Sequence, residues 1–168
     1  MNKKEDKNQK IIEYIEKIII NTGVGKLANK PNFKKDILPA IIKELSMITG
    51  QKVSERPAQK SIAGFSIREG DIIGLKTTLR GKRMADFLIR IDQIAFPRVR
   101  DFKGIDLKNI DKNGNINVGF KDKSVFPEID MDKSQIDFGF QVTIVPKEKS
   151  REKAIEIYRK IGVPLKKE

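Results

Sequence analysis

Between Lys60 and Met84 the chain reads KSIAGFSIREGDIIGLKTTLRGKRM, and this stretch restricts the possible folds more than any other. Ile62, Phe65 and Ile67 share a first run with Ser61, Ala63 and Gly64, and Ile72 to Leu79 follows with the β-branched and apolar residues of a returning strand. Arg68, Glu69, Gly70 and Asp71 between them have turn chemistry, so the spacing predicts a β-hairpin. Lys60, Arg68, Lys76, Arg80, Lys82 and Arg83 stand there against only Glu69 and Asp71. Such a local cationic excess suits a polyanion better than a small apolar ligand.

The excess extends to the whole chain, whose 168 residues carry 35 Lys plus Arg against 23 Asp plus Glu, a formal charge of +12. Nucleic acid is the partner class this implies, since each phosphate contacted releases condensed counterions. A basic surface kept for solubility is the bland alternative. The length predicts one domain over 1–168, with a polar flexible tail over residues 1–10. Without cysteine or histidine there are no disulfides, thiolate nucleophiles, histidine bases or Cys/His metal sites, which leaves carboxylate or lysine catalysis or hard-cation sites of oxygen ligands. With the whole chain weighed, neither an enzyme nor a cofactor is expected. The charged start has no apolar signal region after it, and no apolar run is long enough to span a bilayer, so a cytoplasmic protein with no membrane partner is expected.

Taken in order, Ile18, Ile19 and Ile20 predict a buried first strand running into the glycine turn Gly23-Val24-Gly25. That turn fails as a P-loop, which needs glycine where Ile20 stands and Ser or Thr where Leu27 stands. It also fails as a dinucleotide fingerprint, because Asn29-Lys30-Pro31-Asn32 prevents a helix from opening there. Ile37, Leu38, Ile41, Ile42, Leu45 and Ile48 recur at helical spacing over Phe33 to Thr49, with Pro39 in the first turn and Gly50 as the stop. Gln51 to Arg56 predicts a short strand, and Lys82 to Phe96 a second helix terminated by Pro97. Asn113-Gly114 is a hairpin signal before a strand over Asn115 to Phe120. Asp137 to Val145 alternates as a strand, and Ser150 can cap a last helix that Gly162 ends.

Strands of this kind interspersed with helices predict an α+β fold, a mainly antiparallel β-sheet with helices packed on one face and an RNA-facing side. With nine Phe, two Tyr and no Trp, base stacking should rank behind phosphate, ribose and shape contacts.

Asn21-Thr-Gly-Val-Gly25, Ile48-Thr-Gly-Gln-Lys52, Lys60-Ser-Ile-Ala-Gly-Phe65, Thr78-Leu-Arg-Gly81, Pro97-Arg-Val-Arg-Asp-Phe102 and Phe126-Pro-Glu-Ile-Asp130 together resemble the universal large-subunit ribosomal protein five family. This is the bacterial-type 5S rRNA-binding protein. The pieces fall in the family's order from about Lys17 to Lys133. The resemblance implies a structural constituent of the central protuberance that anchors 5S rRNA to the large subunit during translation. It implies rRNA contacts at Asn21, Gly23, Gln51, Lys52, Thr78, Arg80, Arg98 and Arg100. Amides and hydroxyls suit ribose and phosphate, and an arginine can fork onto a phosphate. Without the resemblance, Gln51 and Thr78 read as groups that satisfy local backbone.

The loop from about Gln59 to Asp71 resembles the family's peptidyl-site loop, which implies tRNA contacts by Lys60, Ser61, Ile62, Ala63, Gly64, Phe65 and Arg68. Lys108 to Gly114 resembles the region facing the small-subunit head, which implies a head protein as partner at an intersubunit bridge. Large-subunit rRNA and neighbouring large-subunit proteins complete the implied partners. Departures from the family are a short segment before the first strand, Thr77 where an apolar residue is usual, Gly74-Leu75 in place of Gly-Cys, and fewer basic residues near Ser134 to Phe140.

Two other readings compete. A free-standing RNA-binding assembly chaperone would carry the same charge and would differ in failing to co-sediment with large subunits at high salt. A carboxylate enzyme could use Glu128, Asp130 and Asp132 on Mg²⁺, against which Pro127 and the lack of any nucleophile motif argue for a solvated link.

Overall fold

Strand β1 (Ile15–Gly23) takes up the isoleucine run, and its burial alternates because the pleat sends Ile18, Ile20 and Thr22 into the core while Asn21 and Gly23 stay exposed. The computed structural model describes residues 3–130, 132, 134 and 136–166. In a five-stranded antiparallel sheet, the order is β2 (Ser54–Pro57), β3 (Ile72–Leu79), β1, β5 (Phe140–Pro146), β4 (Ile116–Phe120). With its helices this is the expected α+β class. Along β3, Leu75, Thr77 and Leu79 are buried and Gly74, Lys76 and Thr78 are only half-buried, so one side of the strand is covered and the other open.

The chain divides into two compact units, one of Met1–Ile19, Thr78–Gly119 and Val142–Glu168, the other of Ile20–Thr77 and Phe120–Gln141. In the first, α1 (Lys3–Tyr14) packs on α4 (Gly81–Arg90) and α6 (Arg151–Ile161). Where a flexible tail was expected over 1–10, residues from Lys3 onward are helical. Lys7 pairs with Asp92 at 2.8 Å, the Asn8 amide donates to Asp86, and Ile11 is fully buried. Met1 and Asn2 lie outside the described residues. The buried Tyr158 hydroxyl donates to Gly114 O at 2.8 Å, which fixes the Asn113-Gly114 turn against α6. A Cβ on Gly114 would fall 2.5 Å from the Ala154 Cβ, and its φ of +81° favours glycine besides.

In the second unit a single helical turn, α2 (Gly25–Ala28), does open after the glycine turn, against the expectation that Asn29-Lys30-Pro31-Asn32 prevents one, and it ends at Asn29. Helix α3 (Leu38–Thr49) buries Leu38, Ile41, Leu45 and Ile48 and stops at Gly50 with φ +68°. Phe120, Phe126, Phe138 and Phe140 form an aromatic cluster, with adjacent centroids 5.4 Å apart for Phe120 and Phe140. The turn Phe33–Ile37 is π-helical, as is Ile91–Ala95 of the first unit, and each lies just ahead of a proline, Pro39 or Pro97. A proline ring clashes with the carbonyl four residues back, and the wider turn relieves that clash. Pro97 therefore does not end the helix at once; α5 (Phe96–Arg98) adds a turn.

The predicted hairpin of two runs within Lys60 to Leu79 is corrected by the structure. β3 pairs with β2, Ser54 opposite Lys76 and Glu55 opposite Leu75, and residues 58–71 form the connection. Ala58 N donates to Asp71 O and Gly70 N to Ala58 O, which closes that connection at its base. Ile62 and Ile67 make one isolated bridge around a 3₁₀ turn, Ala63–Phe65. Among the described residues no helix is long and apolar enough to cross a membrane.

Candidate nucleic-acid interface

The second unit carries most of the residues singled out from sequence. Asn21 and Gly23 are exposed on the last turn of pleat in β1, whose buried neighbour Thr22 donates through its hydroxyl to Gly139 O at 2.5 Å. On the neighbouring strand a Cβ on Gly74 would be in ordinary van der Waals contact, 3.6 Å from Thr22 O and 3.7 Å from the Arg56 Cβ. The register sets Arg56 beside Gly74 and Ser54 beside Lys76, so β2 and β3 present two cations and small groups on the open side. Gln51 is half-buried and Lys52 exposed just beyond the Gly50 stop, and Thr49 Oγ1 donates to Leu45 O at 2.8 Å and to Gln51 O at 3.1 Å, which shapes that turn.

In the connecting loop Lys60, Ser61, Ile62, Ala63, Gly64, Phe65 and Arg68 are all exposed. Phe65 is 71% exposed, unusual for a phenyl ring, and Ile62 is 48% exposed. Local bonds hold this loop. Ile62 and Ile67 exchange backbone bonds, Glu69 N donates to Ser61 Oγ at 2.9 Å, and Arg68 N donates to Asp71 Oδ2 at 2.9 Å. Gly23 and the loop residues Gly64 and Phe65 line one groove, which Gln51 and Lys52 do not reach.

The first unit holds the rest. Thr78 is half-buried at the end of β3, and Arg80 follows in extended conformation as the exposed cap residue of α4. Glu16 lies among cations: the Lys17 ammonium hydrogen-bonds it at 2.8 Å, and Lys17, Lys149 and Arg80 together hold its carboxyl below the ordinary carboxylate range. Arg98 and Arg100 are exposed in a separate turn, clamped by Phe96 stacked on Phe102 at 4.5 Å with the rings 4° apart. On the two remaining strands Thr143 Oγ1 donates to Asn117 Oδ1 at 2.8 Å.

Further polar candidates on the strands are Arg56 on β2, Asn117 on β4, and Gln141 and Thr143 on β5. For β5 the period-two alternation carries the signal, because the residues between buried Phe140, Val142 and Ile144 lie on the other side. Around the rival carboxylates, Asp130 Oδ1 accepts from Asp132 N at 3.1 Å in a local turn, and among the described residues no cluster of carboxylates could hold a metal ion.

A protein with short polar side chains and glycines on the open sides of its strands, and lysine and arginine in the adjoining turns, is by class a binder of structured polyanions. The family model of the ribosomal L5 C-terminus matches residues 72–165, and the model described as "Ribosomal protein L5" matches residues 9–68. The chain is 38% identical over 165 residues to the "Large ribosomal subunit protein uL5" of Halothermothrix orenii, covering 98% of this chain and 90% of that one. It is 44% identical to the protein of the same name from Dictyoglomus turgidum, with 96% and 88% covered, and 47% identical to that of Mesoplasma florum, with 90% and 82% covered. The chain belongs to the L5 family of large-subunit ribosomal proteins, an RNA-binding structural family of the translation machinery and not an enzyme family. Ribosomal RNA and other ribosomal proteins are its partners.

Proposed function

We propose that the chain binds 5S rRNA through the open sides of its strands, anchors that RNA in the central protuberance, and reaches peptidyl-site tRNA with the 59–71 loop. The observation that carries this reading is the strand alternation. The open positions of β1 and β3, Asn21, Gly23, Gly74, Lys76 and Thr78, are small, polar or cationic, while Ile20, Thr22, Leu75, Thr77 and Leu79 between and beside them are buried. Such a surface lets an RNA backbone approach closely and offers ribose and phosphate contacts. Gln51, Lys52, Arg80, Arg98 and Arg100 are further contacts in this reading, each on a turn that leaves its side chain exposed or half-buried. Lys108 to Gly114 faces a head protein of the small subunit, and the chain 1–168 serves as one RNA-binding domain of the cytoplasmic ribosome.

The test is a titration of the full chain against 5S rRNA and a length-matched structured RNA across salt, with Arg80→Ala alongside. Selective binding that Arg80→Ala weakens by about 1–3 kcal/mol, with a salt slope flatter by roughly one, supports the reading. Equal affinity for both RNAs, unmoved by the substitution, overturns it.

A further inference from the structure

The groove in the second unit lies between the turn after β1 and the tip of the 59–71 loop. Gly23, Lys26 and Asn29 form one wall, Gly64 and Phe65 the other, and Ile73 the floor, around a space of about 800 Å³. That is within the ~300–1,000 Å³ of sites that hold small organic groups. Both walls are fixed by the protein itself. Val24 N donates to Ile73 O at 2.9 Å and seats the first wall on β3, while Phe65 N donates to Ile62 O at 3.2 Å and Ser66 N to Ala63 O at 3.0 Å in the second.

Three glycines line the groove, Gly23, Gly25 and Gly64, and two of them are informative because the fold does not demand them. A Cβ on Gly23 or Gly64 would meet nothing within 4 Å, and neither has the positive φ that excludes other residues. The space above them is open. A flat group sliding between the walls would use it, and a methyl on either wall would narrow it. The chemistry of the walls selects the group. An exposed phenyl ring offers a stacking face, the exposed Lys26 ammonium a phosphate contact, and the Asn29 amide both a donor and an acceptor for a base edge.

We infer that this groove takes one unstacked nucleotide of a structured RNA, its base against Phe65 and its phosphate at Lys26. The inference rests on the RNA-binding reading above and adds to it a subsite for a single extruded base. Both rRNA and tRNA contain such nucleotides, and the experiment separates them.

Wild type, Phe65→Ala, Gly64→Ala and Lys26→Ala full-length chains are titrated separately against 5S rRNA and tRNA transcripts, with Arg80→Ala as the control and thermal midpoints recorded. Phe65→Ala and Gly64→Ala should weaken binding of the same RNA, the former by about tenfold. Lys26→Ala should weaken it less and flatten its salt slope. Thermal midpoints should not move, because all three side-chain positions are exposed. The RNA that responds identifies the source of the nucleotide. An effect of Phe65→Ala alone overturns the inference, since a contact at the loop tip needs no groove. Unchanged affinity of the groove variants for both RNAs, with Arg80→Ala still weakening 5S binding, also overturns it, and leaves the groove to a protein neighbour and the RNA reading standing. Failure of the wild type to prefer either RNA removes both.

Discussion

The Lys123 ammonium lies 2.6 Å from Glu44 Oε2, and none of the lysine side chain is exposed to solvent. It also donates to Ser134 Oγ and Ile136 O, and sits 5.0 Å from the centroid of Phe138. A buried ammonium is tolerated only when its protons are taken up, and here a carboxylate, a hydroxyl, a carbonyl and a ring face share them. The result is a tie between Glu44 on α3 and the described residues Ser134, Ile136 and Phe138. Lys123→Met should therefore cost about 3 kcal/mol in denaturant unfolding, mainly because Glu44 loses its partner. Adding Glu44→Gln should restore part of that loss, and strict additivity of the two substitutions would disprove the coupling.

Thr77 offers the opposite case. Its side chain is buried, at 2% exposure, and among the described residues its hydroxyl has no hydrogen-bond partner. A buried hydroxyl without a partner costs free energy that a methyl of the same shape does not. Thr77→Val should raise unfolding stability by about 1–2 kcal/mol and leave RNA affinity unchanged. A lower midpoint in thermal or denaturant unfolding would show that the hydroxyl has a role in the fold.

The acid limb of stability should follow the turn aspartates. At Asp111, desolvation pushes the carboxyl up, but bonds from the Asn115 side chain and backbone at 2.8 and 2.9 Å and from Asn113 N at 2.8 Å bring it below the ordinary range. Asp106 and Asp122 are lowered first by backbone bonds from Lys108 N and Ser124 N. A carboxyl whose folded pKa lies below its unfolded value stabilises fully above that unfolded value, about 4, and loses the contribution as pH falls through the folded one. Stability should thus decline below about pH 4. Asp111→Asn should cost about 1 kcal/mol near neutrality, with the gap to wild type closing in acid. A gap that is constant with pH would exclude the charge as its source.

How much of this was legible in the residues depends on range. β1, α3 and α6 could be read because each has its own signal: the run Ile18 to Ile20, the helical spacing from Ile37 to Ile48, and a serine before α6 with Gly162 after it. Even there Ser150 makes no side-chain capping bond, so the residue type marked the helix start by its backbone preference alone. The hairpin was misplaced because Ile62, Phe65 and Ile67 look like a strand by β-propensity, whereas Phe65 and Ile62 are exposed and the true partner of β3 is the polar Ser54–Pro57. The first turns of α1 read as a tail because they are wholly polar; what anchors them, Asp86 and Asp92, is about eighty residues away in sequence. The candidate site depends on range in the same way. The resemblance proposes Asn21, Thr78 and Arg80 from short motifs, whereas Lys26 and Asn29 share a groove with Phe65 through the fold, in which the turn after β1 is bonded to β3 from Val24 N to Ile73 O.

Glu16 gives the sharpest electrostatic test of the cationic face in the first unit. Its carboxylate is bonded by Lys17 at 2.8 Å and lies in the field of Lys149 and Arg80, so it neutralises charge where a phosphate would be attracted. An RNA phosphate arriving there must compete with it. Glu16→Gln keeps the shape and removes the anion, which frees Lys17 to meet a phosphate. Affinity for 5S rRNA should therefore rise by a factor of a few at low salt, and the salt slope should steepen by up to about one unit as one more counterion is released. The gain should fade at high ionic strength, because screening weakens exposed charges beyond a Debye length. Weaker binding of Glu16→Gln at every salt would instead mean that Glu16 orients Lys17 for its contact, and unchanged binding would place this end of β1 outside the RNA footprint.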